Sequence, residues 1–262
     1  MDLGSKDKVV IVTGGARGIG VGIVEAFARE KCKVVIGYNT SRDNAEKLAN
    51  RLMEEEDTAV SAVKIDVTKK TDAENIVKTT MRNYGRIDVL VTAAGVLRNI
   101  PFVDIDEKEW HRVMNINAKG AYLIAREVIP QMIKARRGKI VIVLSRAAKD
   151  GTAGLSHYAM SKFALWGMTQ SLAKEVAQYD INVNGICPGI IRTDMWETIL
   201  EDRSRQTGVT PEKIWRQMMA TIPMGVPQEP IDVGNLAVFL CSDAARYITG
   251  EAIHVNGGMR MD

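Results

Sequence analysis

The sequence predicts an α/β fold: a doubly wound parallel sheet of seven strands, with helices on both faces and a small helical lid. Three observations carry this reading. Short β-branched runs alternate with longer segments of helical period from Lys8 to the end of the chain. Several runs, such as Val-Val-Ile-Val at 9–12 and Ile-Val-Ile-Val-Leu at 140–144, are continuously apolar, as expected of strands covered by helices on both faces. A glycine-rich turn stands between the first run and the first helical segment, where such sheets bind ligands.

Strands are expected at 9–12, 33–37, 59–65, 87–91, 139–144, 181–187 and 252–255. The first helix takes up its period at Ile19, Ile23 and Phe27. After the third strand, Thr71 to Glu74 reads as a capping box that opens a helix near Asp72, and Gly85 closes it. A further helix is expected to begin near His157, shortly after the fifth strand. One insertion, 192–226, breaks the alternation. In it two short helical patterns are separated by Thr207-Gly208, the second opened by Thr210 as N-cap with Pro211 behind it, and Pro223 and Pro227 follow. This insertion is the expected lid.

Composition narrows the classes. A chain of 262 residues without an internal repeat or low-complexity linker is read as one domain, 1–262. No apolar run is long enough to span a bilayer, and the polar start followed by the brief run at 9–12 does not read as a secretory signal. Cys32, Cys187 and Cys241 are odd in number and scattered, so neither a disulfide framework nor a zinc site is expected, and a cytoplasmic location fits. The net charge of +3 comes from basic residues interleaved with acidic ones, which gives no support to nucleic-acid binding. His111, His157 and His254 lack ligand-like spacing, and no metal is expected.

The turn itself is Thr13-Gly14-Gly15-Ala16-Arg17-Gly18-Ile19-Gly20. A pyrophosphate needs backbone N–H groups at a helix start with no side chain in the way, and Gly14, Gly18 and Gly20 meet that need in a strand, turn, helix context. The spacing G-x-x-x-G-x-G is longer than the G-x-G-x-x-G of the usual Rossmann fingerprint, but the fold remains Rossmann-type. A tight turn without a ligand is the competing reading. At the end of the second strand, Tyr38-Asn39-Thr40-Ser41-Arg42 lacks the acidic residue that grips an unphosphorylated ribose, while Arg17 and Arg42 are placed to pair with a 2′-phosphate. The expected cofactor is therefore NADP(H) in preference to NAD(H).

Tyr158 and Lys162 stand at i and i+4, on one face of a helix. A cation beside a phenol favours the phenolate and makes it a usable proton relay near neutral pH. A solvated tyrosine–lysine pair is the bland alternative. The position of the pair, just after the strand that ends at Ser145, favours the first.

In these residues the chain resembles the short-chain dehydrogenase/reductase family, and the resemblance extends over essentially its whole length. Thr13 to Gly20 is similar to that family's cofactor turn, Asp66-Val67 to its adenine-contacting pair, Tyr158 to Lys162 to its active-site pair, Pro188-Gly189 through Ile191 and Thr193 to its nicotinamide-side loop, and Gly250 to Gly258 to its closing strand and turn. The resemblance implies hydride transfer between NADP(H) and a small-molecule ketone or secondary alcohol. It makes Tyr158 the general acid/base, Ser145 the second hydroxyl on the substrate oxygen, and Lys162 a holder of the nicotinamide ribose. Asn117 would position a relay water, and Gly95 would border the cofactor. It also implies a homo-oligomer, a tetramer, formed through helices near 118–135 and 158–178.

The chain departs from the family pattern at Thr92-Ala93, where two asparagines are usual, so side-chain ties between central strands are missing or replaced. Arg146 follows Ser145 where a small residue is usual, and it either steers an anionic substrate or pairs with an acid such as Asp150. In the lid, Met195, Trp196, Ile199, Ile214, Trp215, Met218, Met219 and Ile222 either pack on the body or line a substrate pocket. The lid resembles that of reductases for small diketones and polyols, whereas the body resembles 3-oxoacyl-carrier reductases. Basic residues that carrier-binding relatives tend to show are matched by Arg136 and replaced by Tyr179, which weakens the carrier reading. Two rival readings stand beside this one: a catalytically silent NADP(H) sensor or scaffold, and an epimerase or dehydratase, which would need a larger substrate domain.

Overall fold

The computed structural model describes residues 3–261; Met1, Asp2 and Asp262, and the side chain of Asp194, lie outside what is described. The strands β1 (Val9–Thr13), β2 (Lys33–Tyr38), β3 (Val60–Lys64), β4 (Val89–Thr92), β5 (Gly138–Val143), β6 (Ile181–Pro188) and β7 (Ala252–Val255) each lie within two residues of the expected runs. They form one parallel sheet in the order β3-β2-β1-β4-β5-β6-β7. Strand order reverses between β1 and β4, so the chain leaves these two neighbouring strands in opposite directions and opens a crevice at their carboxyl ends.

The strand side chains alternate between two cores. Val10 and Val12 of β1 pack under α1 (Ile19–Arg29), α2 (Arg42–Glu56) and α9 (Pro230–Leu240), whereas Ile11 faces α3 (Lys70–Tyr84), α5 (Gly120–Ala135) and α6 (Ser156–Val176). This accounts for the continuous apolar runs, since every position has a helix above or below it. Helices α1 and α9 meet backbone to backbone. A Cβ on Gly22 would lie 2.2 Å from the Pro230 carbonyl carbon, and one on Gly234 would lie 2.3 Å from the Gly22 oxygen. The close contact sets the phosphate-turn helix firmly on the sheet.

The expected capping box at Thr71 does not form. The helix α3 begins two residues earlier, at Lys70, with Lys69 as an uncapped N-cap. Asp72 turns back instead to accept the Asp66 N–H at 2.9 Å, which ties the helix start to the exit of β3. The other end is as expected: Gly85 adopts φ 71° and its N–H caps Met81. Thr210 accepts from Lys213 and Pro211 follows it, as read from the sequence. At the departure from the family pattern, the Thr92 hydroxyl is buried with no partner, so the usual side-chain tie is missing there and not replaced.

The lid consists of α7 (Asp194–Thr207) and α8 (Pro211–Met219), separated at Gly208, and it leaves the body at Ile191 and returns at Gln228, which form an isolated parallel bridge. It is stitched to the loop after β4 by Asp202, buried on α7, which receives Arg98 at 3.1 Å, and by Gln206, which donates to the Asn99 carbonyl at 2.9 Å. Cys32, Cys187 and Cys241 are buried thiols outside any disulfide, and burial pushes Cys32 and Cys241 up to about 12. Among the described residues no helix is long and apolar enough to cross a membrane, and no group of three or more His, Cys, Asp or Glu side chains is arranged to hold a metal ion.

Candidate active site

The phosphate turn is built by steric exclusion. Gly14 and Gly18 sit at φ 71° and 51°, and both Gly14 and Gly15 donate their N–H groups to the Gly37 carbonyl at the end of β2. A Cβ on Gly20 would lie 2.1 Å from the Gly14 oxygen, and one on Gly14 would meet the Ala94 backbone at 2.7 Å. Side chains are thus kept out of a cradle at the start of α1, the form of site a pyrophosphate requires. Arg17 projects from this turn, exposed. Arg42, at the start of α2, bonds Glu46 at 2.7 Å on the open surface, so it does not stand free for a phosphate as the sequence suggested. That pair is exposed on both sides and exchanges readily.

Tyr158 and Lys162 project from one face of α6 toward the ends of β4 and β5. Lys162 is buried, donates to the Val143 carbonyl at 2.8 Å, and holds its Nζ 5.6 Å from the centroid of the Tyr158 ring. Burial lowers its pKa from 10.5 to about 8. Burial also raises the Tyr158 phenol above its ordinary value, and the hydrogen bond with Ser145 opposes that rise only in part. This corrects the expectation that Lys162 lowers the phenol: dehydration of the phenolate dominates, and the ammonium, bonded to a backbone carbonyl, takes no part in the shift. Ser145 accepts the Ala147 N–H at 3.1 Å, which orients its hydroxyl, and its bond to the phenol sets the two hydroxyls side by side.

Asn117 lies in a π-helical turn, Asn115–Lys119, between α4 (Glu107–Met114) and α5. Such turns re-aim side chains at functional sites. Its Nδ2 donates to the Val96 carbonyl and to Ser161 Oγ, both at 3.0 Å, while Oδ1 accepts the Val96 N–H at 2.8 Å. Ser161 in turn donates to the Tyr158 carbonyl at 2.7 Å. Ser161 was not singled out from the sequence, although its place three residues after Tyr158 puts it on the same helical face. A Cβ on Gly95 would lie 3.5 Å from Asn117 Oδ1 and 3.9 Å from Lys162 Nζ, so Gly95 brings both polar atoms around one small space.

A cavity of about 830 Å³ opens over these strand ends and joins Arg17, Gly18, Ile19, Gly20, Gly95, Ser145, Tyr158, Pro188, Gly189, Ile191 and Thr193. The remaining predicted cofactor residues lie outside it. Tyr38 ends β2, and Asn39, Thr40, Ser41 and Arg42 continue along the outer edge. Asp66 holds the turn after β3 through Thr68, hydrogen bonds that bring its pKa down against the opposing effect of burial. Val67 packs against Gly120. Lid residues Met195, Trp196, Ile199 and Met218 do face the cavity, whereas Ile214, Trp215, Met219 and Ile222 do not line it. His157 is fully buried between α4 and α6, its Nε2 3.7 Å from Glu109 and neither ring nitrogen hydrogen-bonded; burial lowers its pKa, so it belongs to the core and does not border the cavity.

Comparison with known proteins agrees with this geometry. A family model described as enoyl-(acyl carrier protein) reductase matches residues 14–260. The chain is 36% identical to 3-oxoacyl-(acyl-carrier-protein) reductase FabG of Thermotoga maritima, across 96% of this chain and 97% of that protein. It is similarly related, at 38% identity, to oxidoreductase UcpA of Salmonella typhimurium across 96% and 94% of the two chains. FabG of Chlamydia pneumoniae is 37% identical across 99% of each.

Proposed function

The chain belongs to the short-chain dehydrogenase/reductase family, and on that footing we propose that it is an NADP(H)-dependent oxidoreductase interconverting a small ketone and its secondary alcohol. The observation that carries this reading is the convergence of the Tyr158 phenol and the Ser145 hydroxyl at one end of a cavity whose other end is the glycine cradle, with the buried Lys162 amine behind the Tyr158 ring. We read the whole chain as one catalytic domain with 192–226 as its lid.

Gly14, Gly18, Ile19 and Gly20 would receive the pyrophosphate, with Lys162, Tyr158, Pro188, Gly189, Ile191 and Thr193 at the nicotinamide end. Arg17, for which no acidic partner is found among the described residues, would meet the 2′-phosphate beside the neutral stretch 38–41. Tyr38 to Arg42, Asp66 and Val67 would border the adenosine. The dinucleotide supplies the hydride when reduced and accepts it when oxidised. In the direction of reduction, Tyr158 gives its proton to the substrate oxygen as the carbonyl carbon is reduced, and Ser145 hydrogen-bonds that oxygen as charge develops on it. The raised phenol suits the role of acid, since it holds its proton throughout the neutral range. Asn117, with both amide hydrogens engaged, is a positioning residue. Its Oδ1 and the Lys162 amine flank the space beside Gly95 through which a water would return the proton.

Two features favour a small substrate over a carrier-bound one. Arg136, the surface arginine matched to carrier-binding relatives, caps its own helix in a left-handed conformation and donates to the Gln178 carbonyl at 3.1 Å, and Tyr179 stands where the second basic residue would. The exposed apolar side chains Tyr122 on α5 and Met160 and Phe163 on α6 support a homo-oligomer formed through these helices. A cytoplasmic location accords with three buried, unbridged thiols.

The silent-sensor alternative predicts binding without turnover. NADPH oxidation should be seen with at least one ketone in a panel of oxoesters, diketones, oxo acids and acyl thioesters, with NADPH preferred to NADH. Tyr158→Phe should lower kcat by about 10²- to 10⁴-fold while NADPH binding, followed by fluorescence, changes little. Retained turnover in that variant would remove Tyr158 from the chemistry, and binding without any turnover in the unaltered protein would favour the sensor.

A further inference from the structure

Five arginines from separate segments line the cavity, Arg17, Arg98, Arg112, Arg146 and Arg203, against one carboxylate, Glu109, among the described lining residues. Their partners differ. Arg112 is held in a fork by Glu109 at 2.6 and 2.7 Å, and Arg98 by Asp202 at 3.1 and 3.4 Å, so both serve structure. Arg17 lies at the cofactor turn. Arg146, the residue after Ser145, has only a 3.7 Å approach to Asp150 and a 3.4 Å contact with Thr152 Oγ1, and Asp150 is shared with Arg260 at 3.5 Å. Arg203, half-buried on α7, has its nearest polar contact at the Met218 sulfur, 4.0 Å away. Two partly desolvated guanidinium groups therefore line the cavity with most of their donors uncommitted, Arg146 beside Ser145 and Arg203 on the lid, and such groups form their strongest bonds with carboxylates.

We propose that the substrate is an oxo acid, whose carboxylate is received by Arg146 and Arg203 while its ketone meets Ser145 and Tyr158. This rests on the reductase reading above. The adjacency of Arg146 to Ser145 places the anion within one arginine side chain of the reacting oxygen, which suits a free 2- or 3-oxo acid. The phosphate of a carrier thioester lies many bonds further from its ketone. Met195, Trp196, Ile199 and Met218 give the remaining hydrocarbon an apolar wall. The reaction balances as ketone plus NADPH plus one proton giving alcohol plus NADP⁺, with the carboxylate unchanged.

The test compares matched pairs, acetoacetate, 2-oxobutanoate and 3-oxohexanoate against their methyl esters, with NADPH as reductant. Calorimetric titration of the NADP⁺-loaded protein with each acid gives a readout independent of turnover. The acids should be preferred in kcat/KM by at least about tenfold, mainly through KM, and Arg146→Gln and Arg203→Gln should each reduce that preference by about tenfold and weaken acid binding in parallel. Esters turned over as well as or better than acids would overturn the proposal and leave the reductase reading standing. An acid preference unaltered in both variants would overturn the assignment to these arginines. Failure of every acid and ester while another ketone of the wider panel oxidises NADPH would overturn the proposal alone, and failure of the whole panel would overturn the reading on which it rests as well.

Discussion

The two walls of the cavity are built on different terms. On the α6 side, the wall formed by Ser145 and Tyr158 is backed by Asn117, Ser161 and Lys162, all at most 4% exposed, each of which bonds a backbone carbonyl or another member of the set. On the lid side, Met195, Trp196, Arg203 and Met218 are half-buried, and the stitches that hold α7 run to the loop after β4 and not to the reacting groups. The chemistry is thus preorganised in the rigid layer, whereas recognition is left to a segment with few fixed contacts. A reductase can change its substrate by altering the second without disturbing the first.

The strongest way to break this contrast is to strike the rigid side at its most crowded point. Gly20→Ala places a Cβ 2.1 Å from the Gly14 carbonyl oxygen, where neither backbone can yield cheaply. A stability loss of about 2–3 kcal/mol and nearly complete loss of nucleotide binding are expected, from chemical denaturation and NADPH fluorescence. An unaffected variant would show that the turn is softer than described. Ser161→Ala is a finer probe: it removes the bridge between Asn117 and the Tyr158 carbonyl without touching either. Stability should fall by about 1 kcal/mol and kcat more than KM, whereas a purely structural hydroxyl would leave kcat intact.

A pH profile tests the same wall. Since Lys162 titrates near 8, below its ordinary 10.5, its charge is present at neutral pH and lost above about 8, so kcat/KM for reduction should decline there. The sign for stability is opposite. An unfolded chain keeps the lysine protonated to higher pH, so the cost of burying the cation applies below about 8 and is relieved as pH rises from about 8 toward 10.5. A level profile through pH 9 would place the essential charge elsewhere. The smallest effect belongs to the lid. Asp202→Asn weakens the tie to Arg98, which is half exposed, and should cost no more than about 1 kcal/mol while raising substrate KM and speeding amide exchange across 194–219. An effect on kcat alone would mean that the lid is not separate from the reacting groups.

Much of the rigid wall was legible in the sequence, because it is local. The strands announce themselves as apolar runs, the glycine turn by its place between strand and helix, and Tyr158 and Lys162 by one helical turn of spacing. What escaped depends on tertiary position. Thr71 carries the letters of a capping box, but Asp72 is drawn to Asp66 across the β3 exit, and the helix starts two residues early. The π turn that aims Asn117 has no sequence period of its own, and the Val143 carbonyl that holds Lys162 belongs to another strand. The cavity arginines come from four distant segments besides the glycine turn, so no spacing could have grouped them.

The buried thiols have a practical consequence. Cys32 and Cys241 are held as neutral, inaccessible groups, and Cys187 is likewise enclosed in β6. Maleimide dyes should therefore pass the native chain by. A lone cysteine introduced at an exposed position of α8 that lines neither pocket, Arg216 for example, would then carry a fluorophore or spin label that reports lid motion against a silent background.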